Sequence, residues 1–311
     1  MHLKLQTIYN VLSIGYNYKM KKMMTIVTPT YNRAYTLEKC YNSLCNQTNK
    51  RFIWMVIDDG STDTTEELIE KLIEKKEVEI KYYKKENGGK ASSLNFAIDK
   101  VNTEYCTCLD SDEYFSNDAI EIALNNLETI KDNKNICGIL ALRRNKEGNV
   151  LGGKEIPDEV NFIKYIEIND KYNIVSEVIC FYKTEVLKKY KFPNFENENF
   201  VSPAFVQYEI TKEHKYKVFR KPIVFCEYLE DGLTKNKNKV IRKNPKGYLA
   251  VKRLSFELSQ NIIKKIKHGI MYGAVSILDK DKGMISKSPN KLMSIILYPI
   301  SYFVYIIKFK R

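Results

Sequence analysis

The chain has 311 residues, 44% hydrophobic and 29% charged, with 8 prolines and 13 glycines, which excludes a small stapled scaffold, a collagen-like chain and an intrinsically disordered one. Its net charge of +13 is unevenly placed: residues 235–311 carry 18 Lys and Arg against 3 Asp and Glu, a net of +15, and the preceding 234 residues are left with −2. Nucleic-acid binding by the main body is therefore not expected, whereas a basic tail beside apolar sequence fits an anionic membrane surface.

Residues 1–22 hold no acidic residue and a weakly apolar stretch (Ile8, Val11, Leu12, Ile14) without a small-residue cleavage site, which does not fit a signal peptide. With Met20, Met23 and Met24 just ahead of the first strand-like run, they are read as a leader extending an internal start. From Met24, short apolar runs alternate with segments of helical period: TIVTPT, a helix over 35–47, FIWMVID, a helix over 62–75, VEIKYYK, a helix over 90–100, and YCTCLD. This β-α-β-α-β-α-β order predicts an α/β, Rossmann-like domain over 23–234, a mostly parallel sheet flanked by helices, with ligands at the carboxyl ends of the strands.

Polar residues cluster at those ends. Asp58-Asp59-Gly60-Ser61, taken alone, reads as a turn into a helix with Asp63 as N-cap and Glu66 closing a capping box. Asn87-Gly88-Gly89-Lys90 opens a helix with glycines, backbone amides and a lysine, an arrangement that suits phosphate. It lacks both the dinucleotide fingerprint and the P-loop pattern, so neither a nicotinamide site nor a P-loop ATPase is supported. Asp110-Ser111-Asp112 is either a solvated strand end or a pair of carboxylates for one hard cation, of the kind a diphosphate leaving group needs.

In this order TIVTPTYNRAYTLEKCYNSLCNQT, VIDDGSTDTTEELI, ENGGKASSLNFAI and YCTCLDSDEYF closely resemble the catalytic core of glycosyltransferase family 2, inverting enzymes of GT-A fold. The stretches KFPNFENENFVSPAF and CEYLEDGLTKN resemble a bacterial surface-polysaccharide branch of it. The resemblance implies a base pocket lined by Pro29 and Tyr31, with Asp59 accepting from the uracil N3–H and Lys90 near the base or diphosphate. It makes Asp110 and Asp112 the D-x-D motif, with Asp112 the direct ligand of Mn²⁺ or Mg²⁺, Asp110 on the metal or the ribose, and Ser111 counted with the donor-binding residues. Inverting displacement needs a base for the acceptor hydroxyl. The candidates are Glu196 and Glu198, ahead of Glu209, with Glu198 favoured. Related sequences carry a further acidic position where this chain reads Ser202-Pro203.

Residues 227–231, with Gly232 and Leu233, are read as a lid or a linker, and 238–288 as helices beside a membrane. The uncharged run LMSIILYPISYFVYII (292–307) would reach about 24 Å as a helix, short of a hydrocarbon core of roughly 30 Å, and Pro299 is expected to break it. An interfacial anchor with Tyr298, Tyr302 and Tyr305 at headgroup depth, or a helix packed on the domain, follows. Seven cysteines without C-x-x-C spacing read as reduced thiols, and the scattered His2, His214 and His268 do not suggest histidine chemistry.

The sequence therefore predicts a GT-A domain with a basic helical C-terminal tail. The expected activity is metal-dependent sugar transfer from a nucleotide donor, a UDP-sugar, to a saccharide or polyprenyl-linked acceptor. Hexosyl or N-acetylhexosaminyl transfer on the cytoplasmic face of a membrane, in surface-polysaccharide synthesis, is the reading. A nucleotidyltransferase and a sugar-nucleotide-binding protein without turnover stay open as alternatives.

Overall fold

A computed structural model of the chain describes residues 21–226 and 237–310. The lid segment and nearly all of the leader lie outside these residues. The predicted alternation is present: β1 (Met24–Thr30), α1 (Ala34–Cys45), β2 (Phe52–Asp58), α2 (Thr65–Glu74), β3 (Ile80–Lys84), α3 (Gly89–Lys100) and β4 (Tyr105–Cys108). Next come β5 (Glu113–Phe115), α4 (Ala119–Glu128), β6 (Ile136–Leu142), β7 (Phe162–Ile163), α5 (Tyr165–Asp170), β8 (Val178–Lys183), α6 (Thr184–Leu187), α7 (Ala204–Thr211), β9 (Lys215–Phe219) and β10 (Val224–Cys226). The tail forms α8 (Lys237–Lys243), α9 (Pro245–Leu258), α10 (Ile262–Leu278) and α11 (Lys291–Lys308).

Eight strands form one sheet in the order β3-β2-β1-β4-β8-β6-β9-β7, and β5 pairs with β10 in a second. The strands β3, β2, β1 and β4 are parallel, β8 runs against both β4 and β6, and β9 is again parallel to β6. Strand periodicity divides the core between the two faces. Val27, Met55 and Ile57 point to the cluster under α3 and α7, while Ile26, Trp54 and Val56 point to the one under α1, α2 and α4. In register, Thr30 lies opposite Asp58 and Val27 opposite Cys108, so the polar ends of β1, β2 and β4 emerge along one edge.

Two local expectations are corrected. The capping box at α2 does not form: the helix starts at Thr65, the Asp63 carboxylate accepts from Thr65 N (3.1 Å) and Ala34 N (3.2 Å), and Glu66 pairs with Lys84 (2.6 Å). Asp63 thus serves the first residue of its own helix and the start of α1 together, and Glu66 is used between elements. Pro299 does not break α11. It removes only the bond to the carbonyl of Ile295, both residues lie on the exposed side, and the packed side continues through Ser294, Leu297 and Ser301.

The tail is packed on the domain rather than hung from it. The Asp170 carboxylate accepts from Gln260 N (2.8 Å) and Asn261 N (2.9 Å), holding the α9–α10 junction, and α9 packs against α7. None of the seven cysteines is in a disulfide.

Candidate functional site

The loops after β1 and β2 are laced together. Asn32 N donates to Ser61 Oγ (2.9 Å), Thr62 N donates to Asn32 Oδ1 (2.8 Å), and Ser61 N donates to Asp58 Oδ1 (2.7 Å). Asp58 is fully buried, and its other oxygen accepts from the Tyr82 hydroxyl (2.7 Å). Of the consecutive carboxylates Asp58 and Asp59, the first is thus spent inside the sheet and the second faces the strand edge.

Asp59 organises the Asn87-Gly88-Gly89-Lys90 loop. Its carboxylate accepts from Lys85 Nζ (2.6 Å), Gly88 N (3.1 Å), Gly89 N (2.6 Å) and Ser93 Oγ (3.0 Å). A carboxylate against the first amides of α3 is favourable to the helix dipole, and here it also fixes where those amides point. Gly89 has φ +83°, and a Cβ there would lie 1.7 Å from the carbonyl oxygen of Asn199, so no side chain fits at this crossing.

Past β4, Glu113 N donates to Asp110 O (3.0 Å) and Asp110 N donates back to Glu113 Oε2 (3.2 Å), closing the D-x-D turn on itself. Lys90 Nζ lies 2.6 and 2.7 Å from the two oxygens of Asp110. Arg143, at the end of β6, lies 2.5 Å from Glu113 Oε1 and 3.7 Å from Asp110 Oδ2. Burial alone would raise the Asp110 pKa, but Lys90 and Arg143 outweigh it and hold that carboxyl below its ordinary value. Glu113, only 3% exposed, is pushed by burial up to about 7 despite Arg143. Asp112 is different: burial first, and then the charge of Asp110, raise its pKa, outweighing the smaller pull of Lys90 and Arg33.

These ends frame a cleft of about 1230 Å³. Pro29, Tyr31, Asp59, Lys90, Asp110, Ser111 and Asp112 all line it, so seven of the ten site candidates named in the sequence are brought together, and Glu209 is not among the lining residues. Glu196 and Glu198 are not among the lining residues. Both oxygens of Glu198 are taken by the start of α9, accepting from Lys246 N (2.9 Å) and Gly247 N (2.8 Å), and Glu196 is exposed on the surface. The charge of Glu198, favoured in the sequence as the base, is thus used where the first amides of a helix lack partners.

Lining residues that sequence reasoning did not find are Glu113, Arg143, Glu177, Lys239, Lys243 and Asn244. The acidic residue following the D-x-D was the available signal for Glu113. Arg143 and Glu177 carry no local pattern, and Lys239 and Lys243 were hidden among the other lysines of the tail. Glu177, 41% exposed on its side chain, lies 3.7 Å from Arg143. Asn244 Oδ1 accepts from Asn199 N (2.9 Å) and Phe200 N (3.1 Å), seating the α8–α9 junction against the loop that crosses Gly89.

The donor set fits a hard divalent cation shared with substrate. Two carboxylates two residues apart, one ion-paired with Lys90 and the other raised by burial and by its neighbour's charge, leave negative charge at Asp112 that a cation would relieve. Among the described residues no third His, Cys, Asp or Glu completes a protein-only metal cage, which matches a cation whose remaining ligands are phosphate oxygens and water.

Comparison with known proteins gives the family and the fold. The sequence model of glycosyl transferase family 2 matches residues 25–191. An uncharacterized glycosyltransferase of Haemophilus influenzae is 27% identical over 183 residues, covering 57% of this chain and 69% of the relative. The chondroitin synthase of Pasteurella multocida is 36% identical over 115 residues, 37% of this chain but 12% of that much longer protein. Among solved structures, S. aureus TarS in complex with UDP-GlcNAc superposes with a TM-score of 0.56 at 17% identity, covering 92% of each chain, a likeness of fold.

Proposed function

Because the chain belongs to glycosyl transferase family 2, we propose that it transfers a sugar, with inversion, from a UDP-sugar to a saccharide carried on a polyprenyl lipid at the cytoplasmic face of a membrane, in surface-polysaccharide assembly. The observation that carries the reading is the convergence of the Asp59-held loop and the D-x-D turn on one cleft at the carboxyl edge of the sheet. The hexosyl or N-acetylhexosaminyl class is supported by the UDP-GlcNAc bound to TarS and by the chondroitin synthase among the relatives.

On this reading the nucleotide lies across the β1 and β2 ends, its base against Pro29 and the exposed ring of Tyr31, beside the Asp59 loop. Asp112, with Asp110 behind it, would hold Mn²⁺ or Mg²⁺, which supplies charge neutralisation for the departing diphosphate. Lys90 and Arg143 keep Asp110 ionised and oriented, and Ser111 sits between the two carboxylates on the cleft wall.

The acceptor hydroxyl must lose a proton as the nucleotide leaves. Asp59 is saturated by protein donors, Asp110 is paired with Lys90, and Glu113 is buried against Arg143. Glu177 is the remaining cleft carboxylate among the described residues that is open to solvent and distant from the D-x-D turn in sequence, and it is assigned the proton.

The test is a thermal-shift panel of UDP-, GDP-, CMP- and dTDP-sugars, each with Mn²⁺ and with chelator, followed by assay of UDP release. Stabilisation by a UDP-sugar that needs metal and is lost in Asp112→Ala is expected. Stabilisation by no donor refutes the reading, pyrophosphate release points to nucleotidyl transfer, and donor binding without turnover points to a sugar-nucleotide-binding protein.

A further inference from the structure

We infer that α11 lies in the plane of an anionic lipid surface, its outer face sunk among the acyl chains, and does not cross the bilayer. The inference deepens the lipid-borne acceptor reading above by stating what holds the protein at that lipid.

Only Ser294, Leu297 and Ser301 of this 18-residue helix are buried. At 100° per residue, Leu292, Ile296, Phe303 and Ile307 fall on one stripe opposite those three, and all are exposed, Ile296 at 66% and Phe303 at 62%. No charge interrupts the surface between Lys291 and Lys308. Tyr298, Tyr302 and Tyr305, spaced four and three apart, follow one flank, the level at which a half-immersed helix meets the headgroups. An apolar face of this extent marks an interaction surface. The occupant is specified by charge: Lys291, Lys308 and Lys310 bound the face at its two ends, in a segment whose net charge is +15. A surface of anionic headgroups over acyl chains satisfies both features.

Length and composition alone would let α11 span a membrane, but its neighbour argues against that. A Cβ at Gly269 would lie 2.9 Å from Leu297 Cδ1, and one at Gly273 would lie 2.4 Å from Ser301 Oγ. The two helices therefore run parallel in close contact, and Lys264, Lys265 and Lys267 of α10 lie at the level of the first turns of α11. Carrying α11 through the bilayer would put Arg242 of α8, bonded to Lys308 O at one end, and the start of α10 held by Asp170, near the other end, on opposite sides of the membrane, although both belong to one packed domain. An in-plane helix keeps both on the same side.

The same helix is one short element away from the cleft. Arg242 Nη2 donates to Lys308 O (3.0 Å) and Ile241 packs with Phe309, while Lys239 and Lys243 of the same α8 line the cleft wall. A membrane-seated α11 thus holds the cleft wall near the lipid surface.

The experiment uses the full chain with vesicles of phosphatidylcholine alone or mixed with phosphatidylglycerol, in cosedimentation, without donor or acceptor. Binding to the mixed vesicles is expected, reduced about tenfold or more in Ile296→Glu and in Phe303→Glu at unchanged melting temperature. Replacement of Lys291, Lys308 and Lys310 by Gln should remove the preference for anionic lipid. Nitroxides at Ile296→Cys and Phe303→Cys should report equal depth, whereas a spanning helix would separate them by about 10 Å. Unequal depth, equal binding to both vesicle types, or no vesicle binding with a dimer that Phe303→Glu dissociates each overturns the inference. UDP release by Phe303→Glu in solution is measured beside these and should be unchanged. Loss of vesicle binding with intact release isolates this inference from the catalytic reading.

Discussion

Lys90 bridges both oxygens of Asp110, at 2.6 and 2.7 Å, while at Asp112, two residues on, burial and the charge of Asp110 outweigh the pull of Lys90 and Arg33. The two carboxylates of one D-x-D motif are therefore unlike: one is held ionised by the protein, and the other is left for what binds there. Asp112→Asn should abolish metal-dependent UDP release while leaving the free protein as stable as before or more so, because it removes a half-buried charge that Asp110 repels. Lys90→Met should lower both activity and stability, the latter by about 1–3 kcal/mol, because it strands Asp110. Melting temperature and UDP release of the two variants, measured side by side, check the contrast.

Asp59→Ala removes the common acceptor of Lys85, Gly88, Gly89 and Ser93. Donor affinity should fall about tenfold or more, with a loss of stability of about 1–3 kcal/mol from the unmatched donors. Isothermal titration with UDP and thermal melting read the two effects.

Glu198→Gln and Glu177→Gln separate the two roles given to glutamates. Glu198 caps α9 through Lys246 N and Gly247 N, so its change should cost about 1 kcal/mol of stability and leave kcat within about twofold. Glu177→Gln should lower kcat by about 10²–10⁴ with donor affinity intact. A kcat loss in Glu198→Gln and none in Glu177→Gln would reverse the assignment.

His268 supplies a pH signature outside the cleft. Burial first, and then Lys252, lower its pKa to about 4 from the ordinary 6.5; Asp170 pulls the other way, and Lys264 adds a smaller lowering. The unfolded chain then takes up the proton before the folded one. The contribution is complete above pH 6.5 and is lost as pH falls towards 4. Relative to His268→Gln, the native protein should lose about 1–3 kcal/mol more stability over that interval, read from denaturant melts at several pH values.

The first half of the fold was legible because its signals are local. The run FIWMVI is apolar throughout, as a strand covered on both faces must be, and the residues at and after its end hold specific backbone or charge duties. Asp59, Lys90, Asp110 and Asp112 could be read because each stands at a strand end or helix start. Arg143 and Glu177 could not: each is a single charged residue whose meaning depends on which strands lie side by side, and β8 inserts between β4 and β6 against chain order. Glu198 misled for a related reason, since a glutamate in a polar loop looks the same whether it faces a substrate or the start of a helix 47 residues later. At Pro299 the local rule failed because one exposed side of α11 absorbs the lost bond.

The crossing of Asn199 over Gly89 ties together parts that are far apart in the chain. Asn244 at the head of α9 holds Asn199, the carbonyl of Asn199 sits where a Cβ of Gly89 would be, and Gly89 is bonded to Asp59. Head and tail are accordingly not exchangeable modules: a chimera that took its tail helices from a relative would also have to take the 194–200 loop, or inherit a cleft with a displaced wall.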